Sequence, residues 1–321
     1  MALLILNQRE VEELLDVEGC IGAMEEALAA LARDEVHLPL RPIVRPPGED
    51  SFMGLMPVHR GGGRPQYALK TICVFPDNPQ RGLDPHQGFV SLHDGETGQL
   101  RVLVNASAVT AIRTAAVSAL ATRTLARAEA RVCAIVGAGH QGRAHVQAMR
   151  ALPFERILVA SRTPEHARGL AAESGAEAVA SVEEAVRAAD VVCTVTSSAE
   201  PVLRREWLQT GAHVNAVGAG FPHTRELDTA TVAAAAFFVD RRESAENEAG
   251  DYLIPLREGA IGEGHIRAEL GEVLIGAARG RKSNDELTVF ESLGLAVEDL
   301  AAAEYLARRA RETGAGTEVD F

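Results

Sequence analysis

Hydrophobic and polar residues follow two different patterns along the chain, and the change falls near Asn105. Before it come short apolar runs of strand length at Ile43-Val44, 52–56, 67–75, 89–92 and 100–104, separated by Pro, Gly and Asp, the residues that punctuate strands. Asp94-Gly95-Glu96-Thr97-Gly98 is a hairpin signal between the last two. Two helices precede these runs. Asn7-Gln8-Arg9-Glu10 reads as a capping box, and Val11, Leu14, Leu15, then Ile21, Met24, Leu28 and Leu31 recur at helical spacing. Residues 1–107 are expected to form an α+β unit with a mostly antiparallel sheet.

After Asn105 the chain opens a long helix over 109–126, and strands and helices then alternate. The strands are expected at Val132–Val136, 157–160, 191–196, 213–217 and 237–239, with a second capping box at Ser181-Val182-Glu183-Glu184. They are continuous apolar runs, as strands are when helices cover both faces of a parallel sheet. An α/β, doubly wound domain of Rossmann type is therefore expected over 108–294. The segment 295–311 is helical, with Leu300, Ala303 and Leu306 on one side. Arg241–Glu248 reads as a solvated charged stretch.

The first strand of the second half runs directly into Gly137-Ala138-Gly139-His140-Gln141-Gly142 and a helix. In a strand–turn–helix context this is a dinucleotide-binding loop. Gly137 makes the tight turn, Gly139 lets the backbone approach a pyrophosphate, Gly142 lets helix and strand pack closely, and the helix N-terminus presents N–H groups to the phosphates. His140 and Gln141 are expected to face the phosphates or line the turn. An NAD site carries an acid about 20 residues further on, on the ribose 2′-hydroxyl. Here the second strand ends in Ser161-Arg162-Thr163. A planar cation between two hydroxyls suits a 2′-phosphate, so NADP(H) is expected over NAD(H). The competing reading is that Arg162 is solvated and Thr163 merely caps the helix that starts at Pro164.

Composition narrows the function classes. The 321 residues are 46% hydrophobic and 24% charged, ordinary for a two-domain globular protein. The formal charge of −13 argues against nucleic acid and anionic membrane surfaces as partners. Cys20, Cys73, Cys133 and Cys193 form no CxxC pair, which argues against structural zinc and a disulfide framework; no metal is expected. The apolar run 2–6 is too short for a secretory core, and no stretch reaches the ~20 apolar residues of a membrane span. A reducing cytoplasm is the expected location. Within this acidic chain three cations stand out. Lys70 interrupts a strand whose same face carries Ala68, Ile72 and Val74; Arg113 lies in the apolar helix; Arg41 opens a strand. A lysine so placed is paired, snorkelling or functional, and burial lowers its proton affinity toward neutrality. Spacing alone does not bring the three together.

The segments Pro39-Leu40-Arg41, Met56-Pro57, Ala68-Leu69-Lys70, Phe75-Pro76-Asp77-Asn78, Pro85-His86-Gln87-Gly88, Thr110-Ala111-Ile112-Arg113-Thr114-Ala115-Ala116, Val136–Gln141, Val214-Asn215-Ala216-Val217-Gly218 and Glu291-Ser292-Leu293-Gly294 resemble the ornithine cyclodeaminase/mu-crystallin family over nearly the whole chain. The resemblance implies a homodimer built through the N-terminal sheets. It also implies a Rossmann domain facing that sheet across a cleft, and a C-terminal helix (295–321) that returns to the first domain. Arg41 and Arg113 would grip a substrate carboxylate, Lys70 would act at the carboxylate or imine nitrogen, and His86 and Gln87 would lie near the nicotinamide end. Thr114, Thr196 and Val217 would join the glycine loop in holding the cofactor. Cyclodeaminases of the family carry an Asp where this chain has Gly220, within Gly218-Ala219-Gly220-Phe221-Pro222-His223-Thr224-Arg225-Glu226-Leu227. Glycine supplies neither the base nor the acid that ring closure with ammonia loss needs. The expected activity is therefore an NADPH-dependent reduction of C=N next to a carboxylate, in cyclic ketimines or imines of 2-oxo acids. Two alternatives stay open: a cyclodeaminase-type lyase, and a non-catalytic protein that binds NADPH.

Overall fold

An eight-stranded mixed sheet forms the first half of the molecule. Its order is Thr317–Asp320, Ala2–Leu6, Leu100–Asn105, His86–Asp94, Gln66–Val74, Phe52–Arg60 and Val36–His37, with Ile43–Val44 also paired to Phe52–Arg60. Every one of these pairings is antiparallel except that of Ala2–Leu6 with Leu100–Asn105. The computed structural model describes residues 2–321. The chain divides into two units, one running to Arg113 and taking in Leu295–Phe321, the other Thr114–Gly294.

Strand periodicity sets the two faces of the first sheet. Ala68, Lys70 and Ile72 are buried, and the register partners Val58, Met56, Leu92 and Val90 are buried with them. On this inner face lies the helix Ala296–Thr313, packed also on the helix Val17–Ala32. Two caps precede it in the chain: Asn7 and Glu10 form the expected capping box, and Asp16 caps the second helix through Gly19 N. The C-terminal helix stops at Gly314, whose φ of 69° is the left-handed conformation glycine adopts readily. The hairpin at 94–98 closes with Asp94 Oδ1 accepting from Thr97 N at 2.9 Å. The opposite face is not polar as alternation would suggest. Met53, Tyr67 and Phe89 are exposed there, beside Leu55, Pro57, Leu69 and Leu103.

The second unit carries an eight-stranded, all-parallel sheet. Its order is Glu177–Ala178, Arg156–Ala160, Val132–Val136, Val191–Thr194, His213–Ala216, Thr288–Glu291, Ala236–Val239 and Ile266–Glu269. The strand order reverses between Val132–Val136 and Val191–Thr194, the crevice where doubly wound sheets bind ligands. Several readings of the pattern need correction. The apolar run 2–6, read only as too short for a leader, is a strand paired on both sides. Thr288–Glu291 and Ile266–Glu269 are strands that the pattern missed, too short to show a period. The stretch 241–248 is not simply solvated: Arg242–Glu248 is a helix with Ser244 and Ala245 buried. The strands expected over 191–196 and 213–217 end at Thr194 and Ala216, and the residues beyond them belong to loops.

Candidate active site

Lys70 is 2% exposed and Arg113 3% exposed, so each cation needs partners. Both find them on the C-terminal helix. Lys70 Nζ donates to Asp299 Oδ1 at 3.1 Å and lies 2.9 Å from Oδ2. Arg113 Nε donates to the same Oδ1 at 3.1 Å, and its Nη1 donates to Glu298 Oε2 at 2.8 Å. Thr110 Oγ1 is at the edge of reach from Lys70, 3.4 Å. The helix that carries Thr110 and Arg113 thus meets the Lys70 strand through a carboxylate from the other end of the chain. Burial lowers the proton affinity of Lys70, Asp299 restores part of it, and Arg113 and Arg41 lower it again; the result is a pKa of about 8. Arg41 is half-buried and acts on Lys70 through its charge. Lys70 and Arg113 thus share two buried carboxylates, and Arg41 adds its positive charge to their surroundings.

The other residues singled out on this sheet divide between its faces. His86 pairs with Val74 in register and so lies on the Lys70 face. Gln87 pairs with Cys73 and points to the opposite face, where it is exposed and its amide donates to Asp84 O at 2.9 Å. The expectation that Gln87 joins His86 beside the chemistry conflicts with this strand geometry, because neighbours in a strand alternate sides. A hollow of about 360 Å³ lined by His37, Pro57, His59, Tyr67, Leu69 and His93 also lies on the sheet at this opposite side. It opens away from Lys70, whose side chain points through the other face.

In the second unit the glycine loop has the geometry its spacing implies. Gly137 has φ 122°, and a Cβ there would come 2.9 Å from Val195 O. At Gly142 a Cβ would lie 2.1 Å from Gly137 O, so only glycine lets the helix sit this close to the turn. Gly139 differs: nothing lies within 4 Å of its Cβ position. The protein itself does not require glycine there, whereas a phosphate group approaching the backbone would. Gly139 caps the helix His140–Met149 with no side-chain bond, leaving the first N–H groups to other partners. Ala138, His140 and Gln141 surround this turn. These features fit a dinucleotide pyrophosphate.

At the tip of the second strand Arg162 is exposed and Ser161 and Thr163 are half-buried. Thr163 stands at the N-cap, but its side chain makes no capping bond, so capping does not account for its hydroxyl. Thr114 is buried in the long helix. Thr196 and Val217 follow the strands Val191–Thr194 and His213–Ala216, and both loops are tied down from below. The buried Glu226 accepts from Thr196 N and Oγ1 at 2.6 Å and from Gly218 N at 2.7 Å. Asp251, itself fully buried, accepts from Glu226 N and Leu227 N. Burial raises the proton affinity of both carboxyls. Among the described residues no group of three or more His, Cys, Asp or Glu is arranged to hold a metal ion.

Sequence reasoning missed Glu298, Asp299 and Glu226. A signal for Asp299 was present: it sits at i, with Ala303 at i+4 and Leu306 at i+7, on the stripe that faces the core. A carboxylate on such a stripe announces a buried cation.

The family model for the ornithine cyclodeaminase/mu-crystallin family matches residues 1–314. The chain is 34% identical over 327 residues to a Delta(1)-pyrroline-2-carboxylate reductase of Bacillus cereus, covering 99% of this chain and 100% of that protein. It is 37% identical over 306 residues to the ketimine reductase mu-crystallin of Mus musculus, covering 93% and 95%. The solved Delta(1)-pyrroline-2-carboxylate reductase of Thermococcus litoralis, in complex with NADH and L-proline, superposes with a TM-score of 0.93 at 35% identity, covering 99% of this chain and 100% of that one.

Proposed function

The chain belongs to the ornithine cyclodeaminase/mu-crystallin family, and from that premise we propose that it is an NADPH-dependent reductase of carbon–nitrogen double bonds adjacent to a carboxylate. Cyclic ketimines such as pyrroline- and piperideine-2-carboxylate are the substrates proposed first, and imines of 2-oxo acids with ammonia or small amines next. The observation that carries the reading is the buried pairing of Lys70 and Arg113 through Asp299. One cation there is permanently charged and the other can release a proton.

The overall reaction is imine plus NADPH plus one proton, giving amine plus NADP⁺. A bound reduced nicotinamide supplies hydride to the imine carbon. Gly137–Gly142 and the helix they open would hold its pyrophosphate, and Ser161, Arg162 and Thr163 its 2′-phosphate. Thr114, Thr196 and Val217 would flank the rest of it. The Thermococcus relative was solved with NADH, so the NADP(H) assignment is drawn from this chain's own Ser-Arg-Thr tip. Arg113 and Arg41 bind the substrate carboxylate, each able to form a two-pronged ion pair. Lys70 keeps the imine nitrogen protonated or donates that proton, directly or through a water, because an iminium accepts hydride far better than an imine. His86, on the same face, lines the substrate side. Gly220 offers no acid or base for ring closure, which favours reductase over cyclodeaminase.

The exposed apolar face around Met53, Tyr67 and Phe89 supports a homodimer built through this sheet. The four cysteines are free thiols and three are buried, which fits a reducing cytoplasm. No described helix is long and apolar enough to cross a membrane. The direct test is cofactor absorbance against a panel of cyclic imino acids and of pyruvate with amines, with NADPH and NADH in parallel. Rapid NADPH oxidation by an imino acid supports the reading. Ammonia release from ornithine with no net cofactor change would establish the lyase instead, and tight NADPH binding with no imine reduced would establish the binding protein.

A further inference from the structure

The chain holds 32 Lys and Arg residues, and only two of them, Lys70 and Lys282, are lysines. Lys282 is exposed on a loop. The one buried lysine therefore stands out in a protein that otherwise uses arginine for fixed positive charge. An arginine at position 70 would pair with a carboxylate equally well but would never let its proton go. What distinguishes lysine here is the ability to titrate, and the structure shows what governs that ability.

We propose that Asp299 is the positioning residue of this site: its single carboxylate fixes the ammonium of Lys70 and the guanidinium of Arg113 side by side, and Lys70 serves as an acid through that contact. This rests on the reductase reading given above. The geometry separates the two acidic neighbours cleanly. Asp299 Oδ1 accepts from both Lys70 Nζ and Arg113 Nε, each at 3.1 Å, with Oδ2 2.9 Å from Nζ. Glu298 takes the other side of the guanidinium, its Oε2 2.8 Å from Arg113 Nη1. Consecutive residues on a helix point about 100° apart, so the first turn of the C-terminal helix delivers one carboxylate to the pair and one to the arginine.

Lys70 is faced from the C-terminal helix by Asp299, from the long helix by Arg113 and Thr110, and from the segment before Ile43 by Arg41. Behind Arg113 lie Glu298 and, on the helix Val17–Ala32, Cys20; His86 shares the sheet face. Burial and two arginines all push Lys70 toward its neutral form, and Asp299 opposes them from contact distance. Held against Asp299, Lys70 is charged near neutral pH yet close enough to its titration to give a proton to an imine nitrogen. The neutral amine so formed remains held by the same carboxylate and is reprotonated from solvent before the next turnover. A charged donor poised in this way meets the requirement that a general acid titrate near the working pH.

Having only two lysines makes the test direct. With ¹³Cε- and ¹⁵Nζ-labelled lysine the folded protein gives two side-chain signals, and Lys282→Arg assigns them. The titration of Lys70 can then be followed by NMR without any turnover. In Asp299→Asn, close to the native shape but without the charge, the Lys70 midpoint is expected to fall by at least one pH unit from its native value near 8. The alkaline limb of kcat/KM for imine reduction is expected to fall with it, and activity to recover as the pH is lowered. Glu298→Gln is expected to raise KM through Arg113 while moving the Lys70 midpoint by less than half as much. Asp299→Glu, which keeps the charge, should restore the native midpoint, and it carries the test should Asp299→Asn not fold. An unmoved Lys70 midpoint in Asp299→Asn, or equal shifts in the Asp299 and Glu298 variants, overturns the proposal. A midpoint that moves while the kinetic limb stays fixed leaves Asp299 as the residue that positions Lys70 and instead defeats the assignment of Lys70 as the acid.

Discussion

At residue scale a buried cation can do what a surface one cannot. Lys70 and Arg113 are both nearly inaccessible, and removing one member of a buried ion cluster leaves its partner charged and unpaired. Lys70→Met is expected to lower turnover on the order of 10²–10⁴-fold, the usual contribution of a positioned acid, with NADPH affinity nearly unchanged in a fluorescence titration. Parallel loss of both would mean that Lys70 only holds the sheet together. At the strand tip, Arg162→Ala or Ser161→Asp is expected to shift preference toward NADH by tenfold or more, about 1.4 kcal/mol; the ratio of kcat/KM for the two cofactors measures it, and an unchanged ratio removes the 2′-phosphate assignment. Lys70 was legible in the sequence because it breaks a strand of apolar neighbours. That Asp299 is its partner was not, because Asp299 lies 229 residues away and only the fold brings the two together.

At the scale of elements, two buried histidines tie together the strands and helices of the second unit. His145, on the helix after the glycine loop, bonds Ser118 Oγ and Gln141 O, each at 2.9 Å. His213, at the start of the strand His213–Ala216, bonds Thr288 Oγ1 at 2.9 Å and Asn215 Oδ1 at 3.2 Å. Burial lowers the pKa of His145 to about 4 and that of His213 to about 3, against about 6.5 in an unfolded chain. Between these limits the unfolded chain binds protons that the folded one refuses, so stability rises with pH across the window and is lost as pH falls below about 6.5. Each pH unit inside the window is worth about 1.4 kcal/mol per histidine, so several kcal/mol go by about pH 4. Urea midpoints at about pH 7.5 and about pH 5 should differ clearly, and His213→Asn should flatten the difference; equal midpoints in the native protein contradict it. The elements that periodicity foresaw are those with room to express a period, such as Ala106–Leu125 and Gln66–Val74. Thr288–Glu291 escaped because it is a short strand, polar at both ends, whose position between Ala236–Val239 and His213–Ala216 is set by pairing.

At the scale of the whole molecule, the outer face of the first sheet needs a partner. Exposed Met, Tyr and Phe on one face of neighbouring strands mark association surfaces, and a symmetric pair of copies is the commonest solution. Sedimentation at micromolar concentration is expected to give a dimer, and a monomer there would remove the proposed interface. The apolar residues of this face were visible in the sequence, but not that they share it, since that depends on register across three strands. The reaction itself is tested most directly by isotope transfer. With NADPH deuterated at the transferable position and pyrroline-2-carboxylate as substrate, the product expected is proline carrying one deuterium at Cα, formed mole for mole with NADP⁺. Proline without deuterium, or no proline while the cofactor stays reduced, would contradict it.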